Sequence, residues 1–337
     1  MGGTAVDLGD PAWLAHRYDE SADAVRFLHC SREHRARVPF LTDEHLADHR
    51  VAAMPRAQVA NAGGGADVGF IFHSAYCCST LLANIFDLPG KAMALKEPQI
   101  LNDMVGWRHR GADPAAVRAV LGTSLGLLTR PFAPGETVVI KPSNVVNGLA
   151  SAMLALRPEA RAILLHAPLR AFVTSIARKG MWGRLWVREL LSRQLVDGMV
   201  DLGFEPRDYL LHTDLQAAAV GWLAQQKLFA ALIARWPERL RSLNSETLVA
   251  NPQAATAAAA RLFTVPATAD EIAATTEVQF SRDAKSGESF GDGQRAADRS
   301  AGEAIHAEEI DKVTVWAETV AANAGVPLTL PAPLVTP

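Results

Sequence analysis

The hydrophobic pattern of this chain changes period most sharply between residues 68 and 90. Val68 to Phe72 is a short apolar run behind the Gly/Ala tract Asn61-Ala-Gly-Gly-Gly-Ala66; it is too brief for a globular helix and predicts a buried strand. From Ser79 onward the spacing lengthens: Leu81, Leu82, Ile85 and Phe86 share one face of a short helix, which Pro89-Gly90 stops. His73 to Cys78 is then a strand-to-helix loop, with Ser79-Thr80 at the helix mouth. Free backbone N–H groups and the positive end of the peptide dipoles make such a mouth an anion site.

The alternation continues downstream. Asp113-Pro114 predicts an N-cap with proline at the first helical position, ahead of Val117, Val120, Leu121, Leu125 and Leu128 at helical spacing. Thr137 to Ile140 is a second buried strand ending in Lys141-Pro-Ser-Asn144, a helix covers roughly Gly148 to Leu156, and Ala162 to Leu165 is a third strand. Pro168 opens a helix whose Phe172 and Ile176 face inward and whose C-terminal cap is Gly180. Strands alternating with helices imply right-handed crossovers and a mainly parallel sheet, which binds ligands at its strand C-termini.

Residues 11 to 60 are helix-prone and mixed in charge, so 1–66 is expected to form a helical N-terminal arm packed on an α/β domain over 67–325. Trp222, Phe229, Ile233 and Trp236 mark a later helix face, Leu240 to Val249 has room for another strand, and Ile310, Val313, Ala317 and Val320 mark a C-terminal helix ended by Gly325. The second half is thus helix-rich. Phe280 to Arg299 is polar and without periodicity, which predicts a long loop, and 326–337 is an irregular Pro-rich tail.

Composition narrows the picture. With 337 residues, 49% hydrophobic and 20% charged, the chain can bury a large core and is not disordered. A net charge of −3 argues against a nucleic-acid or anionic-membrane partner and leaves room for a local basic pocket. Three cysteines, with Cys77 and Cys78 adjacent, cannot make a disulfide framework and fit a reducing, cytoplasmic setting; Cys77 and Cys78 read as small apolar packers. The first residues lack a basic region followed by an apolar core, and no uninterrupted apolar run reaches about 18 residues. A soluble chain without a membrane span is expected.

The Walker A pattern needs a second glycine and a lysine, and this loop has neither, which disfavours an ordinary Mg-nucleotide kinase. Strand, short loop, Ser79-Thr-Leu-Leu82, helix, Pro89-Gly90 and then Glu97-Pro98 resemble instead the 5′-phosphosulfate loop of the sulfotransferase superfamily. A second block is similar to the family's stretch from a lysine-proline turn to the serine-bearing helix for the donor's 3′-phosphate. It runs from Lys141-Pro-Ser-Asn144 through Arg157-Pro-Glu-Ala-Arg161 to His166-Ala-Pro-Leu-Arg-Ala-Phe-Val-Thr-Ser175. With Glu246 to Pro252 and Phe280 to Lys285, the likeness spans roughly residues 68 to 290.

The resemblance implies a three-layer P-loop-like α/β fold with a mainly parallel central sheet. It also implies transfer of a sulfuryl group from 3′-phosphoadenosine-5′-phosphosulfate (PAPS) to a hydroxyl or amine, with no metal required. Glu97 stands where the family places its base, Lys141 is positioned to supply a cation, and His73 is a second base or a donor to sulfate; Lys96 is a lesser substitute. Tyr76, Cys77, Cys78, Ser79 and Thr80 form the donor loop, where the family carries Lys or Arg and Ser-Gly at the first three. For the 3′-phosphate, alignment on Ser175 sets Ala167 at the family's strand-end arginine, whereas alignment on Pro168 sets His166 there and makes Thr174 the hydroxyl. Both registers stay open. Arg178, Lys179, Arg282 and Lys285 are further candidates for that phosphate.

The acceptor is expected to be a small molecule, saccharide or peptide, met by the N-terminal arm, residues 99–112 and residues 181–215, where Trp182 and Trp186 offer an apolar or sugar-stacking surface. Two rivals remain: a divergent P-loop phosphotransferase using a nucleoside triphosphate, and a non-catalytic nucleotide-binding relative.

Overall fold

A computed structural model describes residues 6–47, 49–281 and 292–336, with side chains of 292–305 excepted. Three strands open the chain, β1 (Trp13–Asp19), β2 (Ala24–His29) and β3 (Arg50–Pro55), paired antiparallel in that order. Helix α1 (Arg32–Arg37) lies between β2 and β3 in the chain, and the single turn α2 (Arg56–Val59) follows.

These strands correct the expectation of a helical arm. The first four residues of β1 are all buried, a register shift interrupts its pairing between Ala15 and Arg17, and β3 is Ala-containing and largely exposed. The two-residue alternation that betrays a strand is therefore broken, and long-range pairing overrides local propensity.

The chain continues through β4 (Val68–His73), α3 (Ser79–Asn84), β5 (Ala92–Lys96), α4 (Gln99–His109), α5 (Pro114–Leu128) and β6 (Thr137–Lys141). A 3₁₀ turn over Asn144–Leu149 leads into α6 (Ala150–Leu156) and β7 (Arg161–His166). Then come α7 (Leu169–Arg178), α8 (Gly180–Val196), α9 (Asp208–Leu211), α10 (Asp214–Arg235), β8 (Leu240–Asn244), α11 (Ser245–Ala250), α12 (Pro252–Leu262), α13 (Ala269–Phe280) and α14 (Asp292–Ala324). The expected mixed α/β class holds: β5-β6-β4-β7-β8 form a five-stranded parallel sheet. The fully buried Phe70, Ile71, Val138, Val139 and Ile163 explain why these strands read as continuous apolar runs.

Contacts divide the chain into two compact units. The first comprises 1–72, 79–163 and 253–280. Within it Asp103 of α4 accepts from Arg17 Nε at 2.9 and 3.1 Å and from the Tyr18 backbone, and the buried Arg130 donates to the carbonyl oxygens of Leu8 and Trp13, which ties the N-terminal strands down. Asp113 caps α5 by accepting from Ala116 N at 2.9 Å, as its place before Pro114 predicts.

The second unit comprises 73–78, 164–252 and 281–337. A capping box formed by Thr213 and Gln216 starts α10. Among the described residues α10 alone has the length and hydropathy of a membrane span, and its Trp222, Phe229 and Ile233 are buried within the unit. Trp236 is only half-buried, with the Arg235 and Arg239 guanidinium groups 4.5 and 5.4 Å from its ring. Gly180 has φ +57 but opens α8; the cap of α7 is Lys179.

The expectation of a loop from Phe280 to Arg299 is corrected at both ends, since Phe280 closes α13 and the chain is helical from Asp292; residues 282–291 lie outside the described ones. The stretch from Asp292 is polar helix without an apolar stripe, so periodicity could not reveal it. Arg282 and Lys285 lie outside the described residues.

Candidate functional site

In the first unit, β5 and β6 run parallel in a register that sets Lys96 opposite Lys141, so two lysines end neighbouring strands. Both are buried, and each needs partners that offset the loss of water. Helix α3 supplies one to each from residues a turn apart: Lys96 Nζ donates to Asn84 Oδ1 at 3.0 Å and to Ala36 O at 2.8 Å, while Lys141 Nζ lies 3.5 Å from Thr80 Oγ1. Burial, helped by the nearby Lys141 charge, pushes Lys96 down to about 8. Held by a carbonyl and an amide, Lys96 is a structural group.

Lys141 is placed differently. Its ammonium sits 2.5 Å from Glu97 Oε1 and 5.1 Å from the centre of the Phe40 ring, and its side chain is 1% exposed against 19% for Glu97. Glu97 has φ +53, a left-handed conformation uncommon for any non-glycine residue and disfavoured again by the following Pro98. Its backbone N–H donates to Lys141 O at 2.6 Å, so backbone and side chain both tie it to the end of β6. Strain of this kind, of order 1–3 kcal/mol per residue, concentrates at functional sites. The result is a carboxylate with an open edge, a buried cation against it, and the Thr80 hydroxyl beside the cation, with Ser79 buried next in the chain.

In the second unit, the loop after β4 is bent through left-handed backbone at Ala75, Tyr76 and Cys78, with φ of +68, +50 and +63. The buried His73 accepts the Ala75 N–H on Nδ1 at 3.1 Å, which fixes its tautomer and makes it a support of the turn. Ser74 N donates to Leu165 O, and Ser74 Oγ accepts from Ala167 N at 3.2 Å. Trp222 Nε1 donates to Ala167 O at 2.9 Å, so the residue after β7 is held on both sides. Tyr76 packs edge-on against Phe172 and Trp186, and burial pushes its phenol up to about 12. It is a neutral aromatic in this setting. Cys77 is buried and Cys78 partly so.

His166 ends β7 almost fully buried, and burial pushes it down to about 4 against opposing backbone contributions from Leu164 and Leu243. Its Nδ1 has no hydrogen-bond partner, and neither has the buried Thr174 Oγ1. Ser175 Oγ donates instead to Ala171 O at 2.8 Å, one turn back in α7. Of the two registers left open by the sequence, the one that pairs His166 with Thr174 is therefore the one with unused polar atoms. Arg178 and Lys179 are exposed at the end of α7, and Lys285 lies outside the described residues. Ser74 and Phe40 escaped the sequence reading: Ser74 follows a strand as many serines do, and Phe40 meets Lys141 only through the fold.

No family model and no curated protein matches this sequence. The sulfotransferase domain of the olefin synthase of Synechococcus PCC 7002 is similar in structure with a TM-score of 0.39 and 13% identity, over 69% of this chain and 84% of that one.

Proposed function

We propose that this chain is a transferase that moves a sulfuryl group from PAPS to a hydroxyl or amine of an acceptor. The observation that carries this reading is the Glu97–Lys141–Thr80 cluster: a partly open carboxylate held in strained backbone against a buried ammonium, at the C-terminal ends of parallel strands. The motif order from Ser79-Thr80 to His166-Ala-Pro168 is its second support.

When bound, the donor supplies the sulfuryl group. Glu97 takes the proton of the attacking hydroxyl or amine; Lys141 orients the Glu97 carboxylate through their ion pair and adds positive charge where negative charge gathers on oxygen; Ser79 and Thr80 donate hydrogen bonds to those oxygens. Within the first unit these groups suit the sulfuryl end of such a donor. Within the second, His166 is neutral near pH 7 and the unpaired Thr174 hydroxyl offers a donor without charge, so neither brings the positive charge that a 3′-phosphate prefers. A neutral contact is worth about half of a charge-assisted one, so affinity for the 3′-phosphate should be modest.

The inward-packed Tyr76 and the neutral His166 favour one second reading, a nucleotide-binding relative without catalysis. Calorimetry of the full chain with 3′,5′-adenosine bisphosphate, 5′-AMP and Mg-ATP separates these readings. Binding of the bisphosphate in preference to Mg-ATP is expected, with a margin of about tenfold or less over 5′-AMP. Preference for Mg-ATP would replace sulfuryl by phosphoryl transfer. No binding of any of the three would overturn nucleotide chemistry altogether.

A further inference from the structure

The N-terminal strands bring together three groups that the transfer reaction does not use. Cys30 follows β2 directly, His34 lies in α1 and His49 immediately precedes β3; the ligating atoms of all three lie within 4.8 Å of one another. Cys30 is fully buried. His34 Nε2 is buried without a hydrogen-bond partner, a state that disfavours the fold unless a ligand takes the nitrogen. The His49 ring meets the His34 ring edge-on at 4.4 Å. Its Nδ1–H donates to Leu46 O at 3.2 Å, which turns Nε2 into the lone-pair nitrogen in the way that ligating histidines are oriented by a backbone carbonyl. Ser31 caps α1 by accepting from His34 N at 3.3 Å, which fixes where His34 begins.

We infer that Cys30, His34 and His49 bind one divalent ion of the zinc class, through one thiolate and two imidazole nitrogens, with a fourth position open to water. A sulfur donor with two imidazoles selects zinc over the hard ions that prefer oxygen. Ligand atoms around tetrahedral zinc lie roughly 3.3–3.6 Å apart for bond lengths of about 2.0–2.3 Å, so modest side-chain rotation closes the cluster onto an ion. On binding, the Cys30 S–H bond breaks, an S–metal bond forms and the proton leaves to solvent. The ion would fasten the end of β2, α1 and the start of β3, a stretch whose local sequence specifies strands poorly.

The test uses the full chain, stripped with a chelator and titrated with Co²⁺ and then Zn²⁺. One equivalent of Co²⁺ should bind with a thiolate charge-transfer band and release of about one proton, and Zn²⁺ should displace it. Cys30→Ser should abolish the band, and His49→Gln should weaken binding at least tenfold. Should Cys30→Ser fail to fold, His49→Gln at its half-buried position decides the matter. Absence of Co²⁺ uptake by the wild-type chain, a band that survives in Cys30→Ser, or unchanged affinity in His49→Gln would each overturn the site.

Discussion

Glu97 carries two burdens at once, an unfavourable φ before a proline and an ion pair with a lysine buried at the end of the adjacent strand. A purely structural role needs neither the strain nor the open edge. Glu97→Gln keeps an acceptor for the Lys141 ammonium but removes the base; release of 3′,5′-adenosine bisphosphate from PAPS in the presence of acceptor should fall about 10²-fold or more, with bisphosphate affinity unchanged. Turnover that persists would remove Glu97 from the chemistry. At this scale the resemblance nominates Glu97 as base and Lys141 as cation, but the sequence shows neither the strand Ala92–Lys96 that precedes Glu97 nor the contact between the two side chains. Their pairing was not legible, because it depends on the parallel register of Ala92–Lys96 with Thr137–Lys141, and on a positive φ at a residue type that rarely adopts one.

Among the elements, β4 shows how closely the sheet is covered. A Cβ at Gly69 would come within 2.6 Å of the Phe263 ring, which itself packs edge-on against Phe86 of the first unit. Gly69→Ala should therefore lower stability by about 1–3 kcal/mol in urea unfolding, and Phe263→Leu added to it should recover part of the loss. An unchanged midpoint in the single variant would show that Phe263 moves aside freely. Buried parallel strands and the Asp113-capped helix were legible because each carries its signal within a few residues: an apolar run, or a capping side chain followed by proline. The N-terminal strands were not. Their pairing of Trp13 with His29 and Ala24 with Pro55 is a long-range fact, and a shift in the ladder hides the alternation that would announce it.

For the whole molecule, two buried bases, His166 and Lys96, contribute to the response of stability to pH. His166 is held at about 4, below its ordinary 6.5, so between those values the unfolded chain binds a proton that the folded chain refuses. The contribution is complete above pH 6.5 and is lost as pH falls toward 4, up to about 3 kcal/mol. Lys96, at about 8 against 10.5, acts the same way at higher pH: stability gains further as pH rises from 8 to 10.5. Urea unfolding at pH 7 and pH 5 should show a smaller difference for His166→Gln than for the wild-type chain. An identical difference would mean that His166 is protonated in the folded state.

The division into units carries a consequence for how the protein is made. The chain passes from one unit to the other five times, and the first unit is closed only by residues 253–280. A ribosome must therefore have passed residue 253 before either unit can be finished, and β4 leaves the exit tunnel long before Phe263 arrives to cover Gly69. Over that interval the nascent chain must carry uncovered apolar strands, the condition that recruits chaperones and that makes early truncations insoluble.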